Sequence, residues 1–203
     1  MPRLILIAGG TASGKSTIAG NLKNRLAEFS VAVFSHDHYY KDLSHLSGIE
    51  HEKYNFDHPD AIDSKALVDD LKVLLKGRSI NIPVYDYSTY TRSQKKIHIP
   101  SSEIIIIEGI FALYYKELIE LADLKIFVDT GQDIRLKRRI DRDTSYRGYA
   151  VSDVIERFNT TVKPMHHLYV EPAGNSADLV VNGNDDVDLI CDEIMRILRN
   201  ILK

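Results

Sequence analysis

Eight consecutive residues constrain the fold more than any other part of the chain: Gly9-Gly10-Thr11-Ala12-Ser13-Gly14-Lys15-Ser16. They follow an apolar run at 3–8 that reads as a buried strand. They precede a stretch at 16–28 that carries Ile18, Leu22 and Leu26 on one helical face. Glycines at Gly9, Gly10 and Gly14 let the backbone curl, so that successive N–H groups through Thr17, at the positive end of the helix, face an anion. The Lys15 ammonium would then reach outer phosphates and the Ser16 hydroxyl would ligate Mg²⁺. Gly9 through Thr17 are therefore assigned to a nucleoside triphosphate.

Downstream, the same strand and helix alternation continues. Strands are expected at 31–35, 104–107, 124–128 and 179–181. Helices are expected at 64–75, where Ser64 caps and Gly77 stops, and at 115–122, 133–143 and 151–162. Val187, Ile190, Ile194, Ile197 and Ile201 form the buried stripe of a closing helix. This is an α/β pattern, a P-loop NTPase-type parallel sheet flanked by helices in a single domain spanning 1–203. Two parts depart from it. Residues 36–59 show neither period, and a segment of that length in a compact domain is commonly functional. Residues 80–99, rich in β-branched side chains and carrying Tyr85, Tyr87 and Tyr90, read as a small hairpin apart from the main sheet.

Charge excludes some classes of partner. With 26 Lys and Arg against 29 Asp and Glu, the 203 residues carry a net charge of -3, without the one-sided field of a nucleic-acid or anionic-membrane binder. Nothing approaches the ~20 apolar residues of a membrane helix. The lone Cys191 cannot form an internal disulfide, and the opening residues lack the pattern of a signal peptide, so the expected compartment is the cytoplasm.

Acidic residues at strand ends supply the remaining chemistry. Glu108 ends the Ile104–Ile107 run and should emerge beside the phosphates as a Mg²⁺ ligand, with a solvated turn residue as the plain alternative. Asp37 begins where the second strand ends and is a candidate general base, or else a turn-forming residue. His36 and His38 flank it, but Zn²⁺ takes three or four ligands with recognisable spacing and no Cys is near. Arg135, Arg138, Arg139 and Arg142 recur on one helical face and would spread positive charge over transferring oxygens, unless they form only a solvated face.

Taken together, Gly9–Ser16, His36-Asp37-His38-Tyr39-Tyr40, Tyr54-Asn55-Phe56-Asp57-His58-Pro59-Asp60, Ile82-Pro83-Val84-Tyr85-Asp86-Tyr87, Ile107-Glu108-Gly109-Ile110 and Arg138-Arg139-Ile140-Asp141-Arg142-Asp143 resemble the uridine (uridine-cytidine) kinase family. The resemblance implies transfer of the γ-phosphate of ATP or GTP to the 5′-hydroxyl of uridine or cytidine. It implies Asp37 as the catalytic carboxylate, Asp57 on the ribose hydroxyls, and Tyr40, Tyr85 and Tyr90 around the base. Residues 80–99 would be a nucleoside-binding insertion and 133–163 a helical lid, with Arg139 and Arg142 catalytic beside Lys15. Arg139, Tyr149 and Arg157 would face the nucleoside and Asp186 the adenine. A homotetramer is also implied.

Several positions depart from the family pattern. Tyr90 stands where His is usual, which biases the pocket toward cytidine as a hypothesis. Tyr149 replaces an Arg, Arg157 a Gln and Asn182 a Pro, the last weakening the transfer of an adenine contact to Asp186. A phosphoribulokinase-like enzyme shares the loop but not the Pro-Val-Tyr-Asp pocket, and a regulatory GTPase would need an Asn-Lys-x-Asp guanine motif that is absent.

Overall fold

In the computed structural model of the chain, residues 1–46 and 54–202 are described. The irregular segment is therefore followed only over 36–46 and 54–59, and its middle lies outside the described residues. Five strands form one parallel sheet in the order β2-β5-β1-β6-β7, namely β1 (Arg3–Gly9), β2 (Val31–Ser35), β5 (Ile104–Glu108), β6 (Leu124–Asp129) and β7 (Leu179–Asn182). Strands β3 (Ile80–Asp86) and β4 (Thr91–Ile99) form a separate antiparallel hairpin, as their composition predicts.

Between Arg3 at the start of β1 and Glu108 at the end of β5 the two central strands are apolar and buried, because both sheet faces are covered. Alternate side chains divide between two cores. Leu4, Leu6, Ile105 and Ile107 pack with α2 (Ser64–Leu74) and the inner face of the hairpin, while Ile5, Ile7, Ile104 and Ile106 pack with α1 (Lys15–Arg25) and the last helix, α6 (Val187–Ile201). Each fully buried Ile or Leu there is worth about 1.5–3 kcal/mol relative to exposure. Such a rigid sheet fixes the positions of its strand ends, and the candidate site sits on those ends.

Helix ends show where local sequence misleads. Ser64 does not cap α2; Asp63 does, accepting the Ala66 N–H at 3.1 Å, because its non-helical backbone (φ −80°, ψ 75°) places its side chain over the open N–H groups while Ser64 is already the first helical residue. Helix α3 (Lys116–Leu121) matches expectation. Helix α4 runs Gln132–Arg147 rather than ending at Asp143, because Gly148, at φ 72°, supplies the left-handed stop. After α5 (Val151–Arg157) the helical path continues through two wider π turns, Phe158–Val162 and His166–Val170.

Candidate active site

Parallel register sets the site. Ser35 of β2 and Ile7 of β1 both lie opposite Glu108 of β5, so three strand ends open on one edge of the sheet. There a 450 Å³ cavity is lined by Thr11 through Thr17, Asp37, Glu108, Arg138 and Arg142. The phosphate loop takes the expected form, with Gly14 at φ 103° as the N-terminal boundary of α1. Gly9 and Gly10 stand behind the cavity rather than lining it. A Cβ on Gly9 would collide with the Val128 carbonyl, and one on Gly10 would come within 2.6 Å of the Arg135 guanidinium.

Lys15 is buried and donates to the Gly10 carbonyl at 2.8 Å. Burial pulls its ammonium below the usual lysine range, and Glu108 and Asp37 oppose that shift. The Ser16 hydroxyl donates to Glu108 Oε1 at 3.2 Å. These are hard oxygen donors of the kind Mg²⁺ takes, and they fit that ion. Among the described residues no three His, Cys, Asp or Glu side chains converge as a metal cage, so the remaining ligands would be phosphate oxygens and water.

Asp37 projects from a 3₁₀ turn (His36–Tyr39) that follows β2, its N–H held by the Ser35 hydroxyl at 3.2 Å. Its side chain is 43% exposed over the cavity. Burial pushes the carboxyl up, but the adjacent His36 and the charges of Lys15 and His38 outweigh it and hold it below the usual carboxylate range.

Farther from the loop lies an aromatic cluster. Tyr40 packs against Phe56 (5.5 Å between ring centres), Tyr85 (5.4 Å) and Tyr87 (6.2 Å), and Tyr90 stacks on Phe56 at 5.4 Å and 21°. The hydroxyl of Tyr85 is buried without a hydrogen-bond partner among the described residues. Tyr90 has φ 58°, a left-handed backbone that ends the hairpin turn. Arg92 ties this hairpin to the Asp37 turn, donating to the Tyr39 carbonyl (3.0 Å), the Tyr40 carbonyl (2.8 Å) and Asp63 Oδ2 (3.3 Å).

Asp57 accepts from Thr161 Oγ1, on the first π turn, at 3.3 Å. Burial raises its carboxyl above the usual range, while Arg139, Thr161 and Arg157 pull against that and Asp37 adds to it. The neighbouring His58 meets Tyr169, on the second π turn, at 3.0 Å. Arg139 reaches both ends of the site: its Nη1 donates to Thr11 Oγ1 at 3.3 Å and its charge acts on Asp57. Asp143, 2% exposed, pairs with Arg139 (3.2 Å), Arg142 (2.8 Å) and Arg147 (3.4 Å).

Most residues singled out in the sequence thus converge, with distinctions. Arg135 faces the back of the loop, donating to the Thr130 carbonyl at 3.0 Å and lying over the Phe158 ring. Tyr149 and Arg157 line a second, 490 Å³ cavity with Arg139 and Thr161. Asp186 is not brought to the phosphate cavity. It caps α6 by accepting the Asp188 N–H at 2.8 Å, and Asp185 and Gly183 line the cavity there. Sequence reasoning missed Asp143, Arg92, Phe56 and Thr161, whose partners lie far along the chain or, for Asp143, are charges that read as a solvated face.

Comparison with known proteins settles the lineage. Residues 4–190 match the model of the phosphoribulokinase / uridine kinase family. The chain belongs to that family. It is 43% identical over 204 residues to a uridine kinase of Streptococcus uberis, covering 98% of this chain and 97% of that one. A uridine kinase of Lactobacillus johnsonii is 41% identical over 99% of this chain and 96% of its own. In fold the chain is similar to a possible uridine kinase from Bacillus stearothermophilus (TM-score 0.56, 24% identity, 89% of each chain). It is also similar to phosphoribulokinase from Rhodobacter spheroides (TM-score 0.62, 17% identity, 91% of this chain and 73% of that one). The protein is a P-loop kinase. No helix among the described residues is long and apolar enough to cross a membrane.

Proposed function

We propose that the protein transfers the γ-phosphate of ATP or GTP to the 5′-hydroxyl of uridine or cytidine, yielding UMP or CMP. The observation that carries this reading is one carboxylate, Asp37, at the phosphate cavity and a second, Asp57, beside the aromatic cluster, with Arg139 acting on both ends. An ionised carboxylate is acceptor-only, so Asp57 can take two vicinal ribose hydroxyls at once. Tyr40, Tyr85 and Tyr90 would offer an aromatic surface to the base, a poor environment for the phosphorylated sugar of a phosphoribulokinase-type acceptor. Asp185 stands nearer the donor than Asp186.

In the reaction Asp37 accepts the proton of the 5′-hydroxyl, and its low basicity keeps it ionised and ready at neutral pH. Loop N–H groups and Lys15 hold the outer phosphates, while Arg138, Arg139 and Arg142 meet charge that spreads onto the equatorial oxygens. Ser16 and Glu108 would hold Mg²⁺, which would supply positive charge to offset that of the phosphates. Residues 80–99 serve as the nucleoside-binding part and 133–163 as the lid. Tyr90 biases the base pocket toward cytidine. Nucleoside triphosphate supply places the enzyme in the cytoplasm, and family resemblance makes it a homotetramer, which light scattering would check.

A side-by-side assay of uridine and cytidine, each with ATP or GTP and Mg²⁺, tests the reading. Product carrying the new phosphate at the 5′ position is expected. Turnover of ribulose 5-phosphate with both nucleosides inert would overturn it.

A further inference from the structure

His36 is completely buried, yet it is polar, adjacent to the base and unused in the chemistry above. Its ring lies parallel to Phe111 (10° between planes, 6.0 Å between centres) and fills the space over Gly109, where any Cβ would collide with it. The Phe111 N–H donates to Nε2 at 2.9 Å. That bond assigns the single proton of a neutral imidazole to Nδ1. Nδ1 in turn lies 2.9 Å from Asp37 Oδ1, close but not aligned as a full hydrogen bond, and among the described residues it has no other partner. Catalytic contacts of this kind commonly tighten only once substrate is bound.

We infer that His36 is a positioning residue, a neutral imidazole that carries the geometry of the β5 end across to the Asp37 carboxylate and aims its free oxygen at the acceptor hydroxyl. This rests on the reading of Asp37 as general base. The physical logic is a relay of placement rather than of protons. Phe111 lies three residues beyond Glu108, so one ring fixes the base relative to the strand that carries the candidate metal ligand. A buried histidine serving only as packing would need neither nitrogen, and phenylalanine would replace it silently.

Four variants distinguish the possibilities: His36→Phe, which keeps the stacked ring and loses both nitrogens, His36→Gln, whose amide can still accept and donate, Asp37→Asn, and the His36→Phe/Asp37→Asn double. Folding is followed by thermal melts, and turnover with Mg²⁺, ATP and the better nucleoside. His36→Phe is expected to lower kcat roughly 10- to 100-fold, the scale of a misplaced reacting group, with nucleoside KM little changed. His36→Gln should recover most of that loss. In the Asp37→Asn background the His36 change should add nothing, since both act through one carboxylate. Unchanged kcat in a folded His36→Phe, or an equal loss in both backgrounds, would overturn the positioning role. Retained turnover in Asp37→Asn would instead remove the base reading on which it rests. Should His36→Phe fail to fold, nitrogen NMR of the unaltered protein decides: a neutral ring protonated at Nδ1 is expected, and protonation at Nε2 overturns the inference.

Discussion

The two ends of the site are built by opposite means. At the phosphate end, backbone does the work: a loop between one strand and one helix, backed by parallel strands whose register fixes Glu108 and the turn bearing Asp37. At the aromatic end side chains do it, and they come from the Tyr40 turn, the Phe56 segment, the hairpin and the π turns. The contrast reaches the two carboxylates. Net charge interactions hold Asp37 below its ordinary range, whereas burial lifts Asp57 above it. A base must be ionised in advance of the reaction. A ribose-holding group, by contrast, gains strength from being desolvated.

Breaking the comparison at its strongest point means removing Asp37, the proposed base. Asp37→Asn should cut kcat by roughly 10²–10⁴-fold while nucleoside KM stays within a few-fold, as read by steady-state kinetics. Equal effects on both constants would show that Asp37 also binds the nucleoside. The Asp143 hub comes next. Asp143→Ala strands the buried guanidinium of Arg139 and should cost about 3 kcal/mol of stability in urea denaturation, while a loss under 1 kcal/mol would mark the cluster as a surface network. Asp57→Asn should act on the other constant, raising nucleoside KM about 10- to 100-fold, the scale of a lost hydrogen bond to a charge, with kcat largely kept. In the parent protein, 2′-deoxycytidine should be the poorer substrate, and comparable rates would remove Asp57 from the ribose.

Titration sharpens the same contrast. Because the Asp57 carboxyl is raised and that of Asp37 lowered, acidification should first weaken kcat/KM for nucleoside, as Asp57 takes a proton above the usual carboxylate range. At saturating substrate kcat should persist to lower pH, where Asp37 finally protonates. Coincident acid limbs in the two profiles would contradict the assignment. The smallest effect is expected at Tyr90→His, a several-fold change in the cytidine-to-uridine ratio of kcat/KM, since either side chain can hydrogen-bond the group on carbon 4.

How far the sequence could be read follows the same division. The phosphate loop, the buried strands and Glu108 are legible because their signals are contiguous: a glycine spacing, an apolar run, an acid at its end. Of the aromatic end only the hairpin and its tyrosines are legible; how it is tied together is not, because the Arg92 side chain bonds to Tyr39 and Tyr40, more than fifty positions away, and no local period reports that. Asp143 reads as one more charge on a polar face until its three arginines are seen around it. Helix caps were ambiguous by one residue at Asp63 and Ser64, where two good acceptors adjoin and only geometry chooses. The same adjacency separates Asp185 from Asp186.

The π turns have a consequence for phase. Thr161 and Tyr169 are eight positions apart, and both meet the Asp57-His58 pair. Eight residues of regular α-helix rotate about 80° beyond two full turns, which would swing one of those side chains off the shared face. Widening two turns absorbs the surplus, as if one residue had been inserted into a seven-residue repeat. The helix thereby keeps two contacts in step that its length alone would set out of step, and the buried Asp57 carboxylate and its neighbour are gripped from a single side.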